Sequence, residues 1–213
     1  MSREDAAILP RTPRAIVIGG SAGALNVLRQ LLQALIAPAH APIVIVLHLP
    51  PRSPDGLPEL LARDCALPVK QAEDKEPLVD GTVYLAPPGY HLLIESHHAF
   101  ALSIDAPVHF SRPSIDVLFE SAADAYGSEL LAILLSGASS DGAAGLEEVA
   151  AAGGLTAVQA PDSAEASIMP AAALALIQPT FIWTPDDLTW ELPRMLRDVR
   201  TADSNASPTG GAA

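Results

Sequence analysis

Ser21 stands where a short apolar run gives way to glycine and alanine and a Leu-rich segment begins. Residues 19–23, Gly-Gly-Ser-Ala-Gly, match the G-x-S-x-G pattern, in which small neighbours permit a tight strand-to-helix turn that exposes the serine hydroxyl. Amides in such a turn can bind an oxyanion, so Ser21 is a candidate nucleophile for acyl transfer. On the motif alone a second interpretation stays open: a glycine-rich turn beside bound phosphate, with Ser21 as the helix N-cap.

The nucleotide-binding version of that second interpretation fits the sequence poorly. A G-x-G-x-x-G fingerprint needs glycine where Ser21 stands, and it needs an acidic residue at the end of the second strand. Here the second strand-like run, residues 43–47 (Ile-Val-Ile-Val-Leu), leads into His48. The chain therefore offers an imidazole where a carboxylate that binds ribose would be expected.

Three polar residues follow strand-like runs and are expected at one edge of a sheet. Ser21 ends the first run, His48 ends the second, and Asp141 lies in the small-residue turn after residues 131–137. Because ligands bind at the carboxyl ends of strands in open α/β sheets, we expect the three side chains to converge. A serine needs a base to ionise, and the base needs a carboxylate to hold its tautomer, so this trio is chemically complete.

The elements that must position these residues alternate along the chain. β-Branched apolar runs alternate with longer Leu/Ala-rich segments, which is typical of a doubly wound, mostly parallel α/β sheet with helices on both faces. Short runs separated by tight-turn signals predict an antiparallel β-hairpin insertion near residues 69–104, at the sheet edge. We predict strands near 15–19, 43–47, 130–135 and 155–159, and helices over 23–36, 57–64, 114–126, 142–152 and 186–198.

Composition indicates one domain. The chain has 213 residues, of which 49% are hydrophobic and 17% charged, and this suits a single compact unit with a sizeable core. We assign that domain to residues 14–200, after a short N-terminal extension over 1–13. Residues 201–213 are small and polar with little to bury, so we predict a disordered tail there.

Charge and cysteine content restrict the partners and the compartment. A net charge of −13 argues against a nucleic-acid partner and against an anionic membrane surface, since both would repel the chain. No apolar run approaches the roughly 18 residues of a spanning helix, so we expect no direct membrane insertion. The single Cys65 allows no intrachain disulfide and the first residues do not have the pattern of a signal peptide, which together predict a cytoplasmic location.

The other titratable residues have simpler interpretations. Four histidines lie in the expected hairpin or its exit, and their spacing offers no helical metal pair, so we predict solvated side chains and no metal site. The four histidines are His91, His97, His98 and His109. Two acidic residues, Asp116 and Asp124, suit the exposed face of a helix.

The motifs around the trio resemble those of the chemotaxis protein-glutamate methylesterase family, over roughly residues 14 to 185. The serine motif is similar to residues 18–24 (Ile-Gly-Gly-Ser-Ala-Gly-Ala), the histidine motif to 47–51 (Leu-His-Leu-Pro-Pro) and the aspartate motif to 135–143 (Leu-Ser-Gly-Ala-Ser-Ser-Asp-Gly-Ala). Further similar segments occur in the same order at 73–77, 84–89, 112–119 and 164–170.

This resemblance implies hydrolysis of γ-glutamyl methyl esters on chemoreceptor-type proteins, with release of methanol, and glutamine deamidation as a related activity. It implies no cofactor, and it carries catalytic roles to Ser21, His48 and Asp141. Backbone amides near Ala22 and Ala138 are candidates for binding the oxyanion. Arg112 is a candidate for positioning an acidic substrate or bracing the site.

The segment before the first predicted strand is short, and this bears on how the activity is regulated. Well-known members of that family carry an N-terminal phosphorylatable receiver domain, and only about fourteen residues precede the first predicted strand here. We therefore expect a stand-alone esterase domain that acts on a methylated chemoreceptor or another methylated protein, with a separate regulatory protein as a further candidate partner. The rival hypothesis is a non-catalytic interaction module of the same fold in a signalling complex.

Overall fold

A computed structural model describes residues 12–48 and 56–197. Its strands are β1 (Ala15–Gly20), β2 (Ile43–Leu47), β3 (Val69–Gln71), β4 (Val83–Leu85), β5 (His91–Ile94), β6 (Phe100–Ser103), β7 (Leu130–Leu134), β8 (Leu155–Gln159) and β9 (Phe181–Trp183). Its helices are α1 (Ala24–Ala34), α2 (Leu57–Ala62), α3 (Ile115–Tyr126), α4 (Ala143–Ala151), α5 (Ile168–Leu176) and α6 (Pro185–Met195).

Seven of these strands form one parallel sheet in the order β3-β4-β2-β1-β7-β8-β9. β1 lies at its centre, where Gly20 pairs with Leu47 of β2 and Gly19 pairs with Leu134 of β7. Because parallel strands end at the same edge, the segments that follow β1, β2 and β7 leave the sheet side by side. This register brings the three sequence motifs together.

Alternate side chains of β1 enter two different apolar cores. Ile16 and Ile18 pack with α1 and α6 on one face, whereas Ala15 and Val17 pack with α3, α4 and α5 on the other. A strand buried on both faces reads as a continuous apolar run, as the sequence of β1 does. The fold class expected from the sequence is confirmed, including helices on both faces.

The segment 69–104 differs in part from the prediction. Only β5 and β6 form the expected antiparallel hairpin, in which His91 pairs with Ser103. β3 and β4 instead join the main sheet, where β4 pairs in parallel with both β3 and β2. With three residues each, these strands are too short to show a hydrophobic period, so their partners could not be deduced from the sequence.

Two other elements were not predicted. α5 carries Pro170 in its first turn and is apolar along nearly its whole length, so it has no amphipathic pattern. β9 is an edge strand of three residues. Residues 1–11 and 198–213, which include the expected tail and most of the expected extension, lie outside the described residues. Within residues 12–48 and 56–197, no helix is both long enough and apolar enough to span a bilayer.

The turn between β1 and α1 depends on Gly23. This residue has a φ of 80°, a left-handed conformation that favours glycine. A Cβ at this position would lie 2.5 Å from Glu165 Cβ and 2.8 Å from Ser136 Oγ. Glycine therefore permits both the backbone direction and the close approach of the neighbouring loops beside Ser21.

Candidate active site

His48 and Asp141 are in direct contact. His48 follows β2, and its backbone N–H donates to Gly20 O at 2.9 Å, which fixes the residue beside the end of β1. Its Nε2 lies 2.8 Å from Asp141 Oδ2. The Asp141 carboxylate favours a proton on the ring nitrogen that faces it, Nε2. With Nε2 facing Asp141, Nδ1 is the ring nitrogen left for proton exchange.

Asp141 is fully buried, and the first turn of α3 surrounds its carboxylate. Oδ1 accepts from Ser114 Oγ at 2.8 Å and from Asp116 N at 3.1 Å, while Oδ2 accepts from Ile115 N at 2.8 Å. Burial alone would raise the pKa of Asp141, but His48 and these donors favour the charged form and lower the pKa to about 2. Asp141 is therefore ionised at neutral pH.

Ser21 lies in the turn that follows β1 and is half-buried. Its backbone N–H donates to Ser136 O at 2.9 Å, and its carbonyl accepts from Ala24 N at the start of α1. Ser21 Oγ makes no hydrogen bond within residues 12–48 and 56–197, and none joins it to His48. The structure thus brings His48 and Asp141 into contact and holds Ser21 in the neighbouring turn at the same edge of the sheet.

Unpaired amides follow both central strands. After β1, the first backbone N–H without a partner among the described residues is that of Ala22, because Ser21 N is bonded to Ser136 O. After β7, the first is that of Ala138, since Ser136 N donates to Gln159 Oε1 and Gly137 N to Ala166 O. Both alanines are exposed. Within the part of the chain that the structure describes, the two amides named from the sequence therefore have a donor available for a ligand.

Arg112 braces a loop. Its Nη1 donates to Ile104 O at 2.8 Å and to Asp105 O at 3.0 Å. Both carbonyls belong to the segment between β6 and α3. Of the two roles considered for this side chain, these contacts favour bracing.

Comparisons with known proteins assign the family. The family model described as CheB methylesterase matches residues 16–192. The chain belongs to the CheB methylesterase family. The crystal structure of the Thermotoga maritima CheB methylesterase catalytic domain has a TM-score of 0.79 and 28% identity to it, covering 86% of this chain and 97% of that one.

Two relatives extend the comparison. A protein from Leptospira interrogans is 48% identical over 160 residues, which make up 75% of this chain and 83% of that one. A Methanospirillum hungatei protein named "Protein-glutamate methylesterase/protein-glutamine glutaminase 2" is 39% identical over 186 residues, or 87% of this chain and 52% of that one. This chain thus spans about half the length of the Methanospirillum relative.

Sequence reasoning missed the buried Ser136, which ties the CheB-type serine turn to two other segments. Its Oγ donates to Ala22 O at 2.7 Å, lies 3.2 Å from Ala166 O, and accepts from Ala166 N at 2.9 Å. Its backbone N–H is bound by the buried Gln159 side chain. The one available signal was a serine directly after the apolar run of β7, inside the aspartate motif.

Ser111 was also missed. Its Oγ lies 3.5 Å from His48 Nδ1, the side of the ring that faces away from Asp141. No residue pattern in the sequence singled it out, because the contact depends on how the loop before α3 folds back over β2.

Asp116 corrects one expectation from the sequence. Rather than lying on an exposed helix face, Asp116 is buried, and its Oδ1 accepts from Gly142 N at 2.8 Å and Gly145 N at 2.7 Å. Burial is the main cause that raises its pKa, and the negative charge of Asp141 adds to it. Asp124, on the same helix, is exposed as expected.

The histidines are not uniformly solvated. His91 is buried: its Nδ1 accepts from Ser114 N at 3.2 Å and its Nε2 faces Ala106 O at the same distance. His98 stacks on Tyr126, with ring centroids 4.3 Å apart. The His91 ring therefore binds backbone groups and the His98 ring packs on an aromatic ring, whereas the sequence predicted solvated side chains for both.

One cluster has ligand atoms close enough together for a metal ion. His109, Asp116 and Asp141 each offer an atom within 4.8 Å of the others. However, both oxygens of Asp141 and one of Asp116 already accept N–H or O–H groups at the starts of two helices. The chemistry of these carboxylates is that of helix caps, and the absence of a metal from the reaction stays a prediction.

Proposed function

We propose that this chain is a serine hydrolase that removes the methyl group from γ-glutamyl methyl esters on a protein, with Ser21, His48 and Asp141 as its catalytic triad. The observation that carries the proposal is the 2.8 Å contact between His48 and the buried, ionised Asp141, at the sheet edge that also holds the Ser21 turn. The name of the Methanospirillum relative, a protein-glutamate methylesterase, supports the ester as substrate.

The chemistry follows the geometry in two steps. In the first, Ser21 Oγ attacks the ester carbonyl while His48 Nδ1 takes its proton, and the tetrahedral intermediate then expels methoxide, which His48 protonates to methanol. In the second, His48 deprotonates a water molecule that attacks the acyl-serine. This attack releases the glutamate carboxylate and returns a proton to Ser21. Ala22 N–H and Ala138 N–H donate to the oxyanion in both steps.

Asp141 must be charged for this scheme to work, because it stabilises the imidazolium formed when His48 takes a proton. Its pKa of about 2 ensures this at any pH near neutral. Glutamine deamidation uses the same steps, with ammonia in place of methanol as the leaving group. The substrate we assign is a methylated chemoreceptor or another methylated protein, and the single Cys65 supports a cytoplasmic location.

The test is methanol release from a methylated receptor cytoplasmic fragment by the wild type, Ser21→Ala and Ser139→Ala, all at equal concentration. We expect Ser21→Ala to release almost none. Ser139→Ala is the matched control, since this serine also follows a central strand but its Oγ has no partner among the described residues. Equal release by the wild type and Ser21→Ala contradicts the proposal. No release by a folded wild type favours the interaction module instead.

A further inference from the structure

The loop between β6 and α3 presents an aromatic side chain that no described residue covers. Phe110 has a relative exposure of 104%, the highest of any large apolar residue in the described ranges. Ile104, in the same loop, is 73% exposed. An exposed ring contributes little to folding through burial, so the reason for its presentation must be sought in its position and in the backbone that carries it.

The backbone beneath this ring is strained. His109 and Phe110 have φ values of 47° and 60°, both in the left-handed region. Val108 N–H donates to Ser111 O at 3.1 Å, and Ser111 N–H donates to Val108 O at 2.8 Å, closing a two-residue turn. Such turns favour Asn and Gly, so His-Phe is an unfavourable choice for folding alone.

Contacts on both sides hold the turn in place. His109 Nε2 lies 3.2 Å from Asp116 Oδ2, and Arg112 Nη1 binds the carbonyls of Ile104 and Asp105. The backbone that presents Phe110 is therefore held in place, so little backbone entropy is lost when the ring binds. The next residue, Ser111, places its hydroxyl 3.5 Å from His48 Nδ1, so the projection adjoins the catalytic base.

We propose that Phe110, with Ile104, is the substrate-recognition contact, and that it inserts into an apolar groove on the protein substrate beside the methylated glutamate. This inference rests on the proposed function. A projecting ring requires a concave apolar partner. The chain carries a net charge of −13, so attraction between opposite charges is a poor source of affinity for a substrate whose product is a glutamate carboxylate. Apolar contact holds the substrate while its glutamyl group is a neutral ester. After hydrolysis, the negative charge of this chain repels the product carboxylate.

The decisive variant is Phe110→Gly. Glycine suits a φ of 60°, so this change relieves the turn, and we expect a higher urea midpoint than that of the wild type. We also expect kcat/KM for the methylated receptor fragment to fall by about tenfold or more, mostly through KM. The loss for a small soluble ester, p-nitrophenyl acetate, should be at least tenfold smaller than that for the fragment.

Two comparisons make the result specific. Phe110→Leu keeps an apolar projection and should retain most of the affinity for the fragment. Trp190→Ala removes another large exposed ring, 54% exposed on α6, which packs against α1 on the opposite face of the sheet from α3. It should leave both reactions as in the wild type.

The inference is overturned if Phe110→Gly leaves KM for the fragment unchanged, or if it slows both substrates equally, which would indicate a structural role. Binding of the fragment to Ser21→Ala, with and without Phe110→Gly, tests recognition without turnover. If the wild type hydrolyses neither ester and Phe110→Gly still weakens binding at least tenfold, the proposed function fails while the recognition surface stands. Equal binding by the two proteins rejects the surface.

Discussion

Asp141 caps the start of α3, and Asp116, which lies in the first turn of α3, caps the start of α4. Asp141, just before α4, accepts from Ile115 N and Asp116 N at the start of α3, and Asp116 accepts from Gly142 N and Gly145 N at the start of α4. Each carboxylate thus lies at the positive end of the opposite helix dipole. This crossed arrangement fixes both carboxylates through backbone atoms of two helices.

Replacing each of the two aspartates by asparagine should have very different effects on stability. In Asp141→Asn only one side-chain oxygen remains, so one or more donors of α3 meet an amide NH2. We therefore expect the free energy of unfolding to fall by about 1–3 kcal/mol. The rate of ester hydrolysis should fall by about 10³ to 10⁴, because His48 loses the carboxylate that holds its tautomer. Urea unfolding at pH 7 and initial rates measure both effects.

Asp116→Asn is the matched control. Its two helix hydrogen bonds end on the same oxygen, which an amide retains, and the change removes a buried charge whose pKa is raised. Ionisation of Asp116 costs folding free energy above its ordinary pKa, so we expect this variant to be at least as stable as the wild type at pH 7. Equal destabilisation of the two variants would contradict the crossed-cap explanation.

The stabilising contribution of Asp141 should disappear only in strong acid. Its pKa is lowered in the folded protein from an ordinary 3.8 to about 2, so its ionisation stabilises the fold above pH 4. That contribution, about 2 kcal/mol, is lost as pH falls from 4 through 2. Urea titrations at pH 7, 4, 3 and 2 should show the gap between wild type and Asp141→Asn constant down to pH 4 and smaller below. A gap that closes between pH 7 and 5 contradicts this assignment.

Gly145→Ala should destabilise the protein although alanine is the better helix former. The intrinsic preference favours alanine by about 1 kcal/mol. Against this, a Cβ at position 145 would lie 2.7 Å from Phe119 Cβ and 2.9 Å from the backbone of Asp116. Overpacking of this kind costs roughly 1–3 kcal/mol, so the steric term wins. Thermal unfolding should show a lower Tm for Gly145→Ala, and Glu147→Ala, on the exposed side of α4, serves as the control.

Ser136→Ala should slow catalysis without removing a triad member. The change leaves Ala22 O and Ala166 N without their partner and removes the side-chain contact that holds Ala22, while the backbone bond from Ser21 N to Ser136 O remains. Misplacement of a catalytic turn by about 1 Å can cost on the order of 10² in rate, and we expect a loss of that order in kcat. Ser139→Ala, which removes from the same loop a hydroxyl with no partner among residues 12–48 and 56–197, should change neither kcat nor stability appreciably.

The central strands could be predicted because they are buried on both faces. β1, β2 and β7 read as continuous apolar runs, and the rule that ligands bind at strand ends then pointed to Ser21, His48 and Asp141. The structure places His48 against Asp141 as this predicts. The role of Ser21 as nucleophile stays a prediction that the methanol assay tests.

The supporting residues could not be predicted, because their roles arise between elements distant in sequence. Asp116 looks like any acidic residue in the first turn of a helix until α4 packs against α3 and supplies its N–H groups. His91 likewise becomes an acceptor for Ser114 only when the hairpin closes over the start of α3. A single sequence contains no periodic signal for such long-range partners.

The register of β1 against β2 links correct folding to a correct active site. A slip of one residue would turn Ile16 and Ile18 into the opposite core and would separate Ser21 from the end of β2. A chain in which β1 pairs with β2 in the wrong register therefore loses the packing of its cores together with the position of Ser21 beside the end of β2. For this chain, the packing of the two cores that selects the folded state also selects the relative positions of Ser21 and His48.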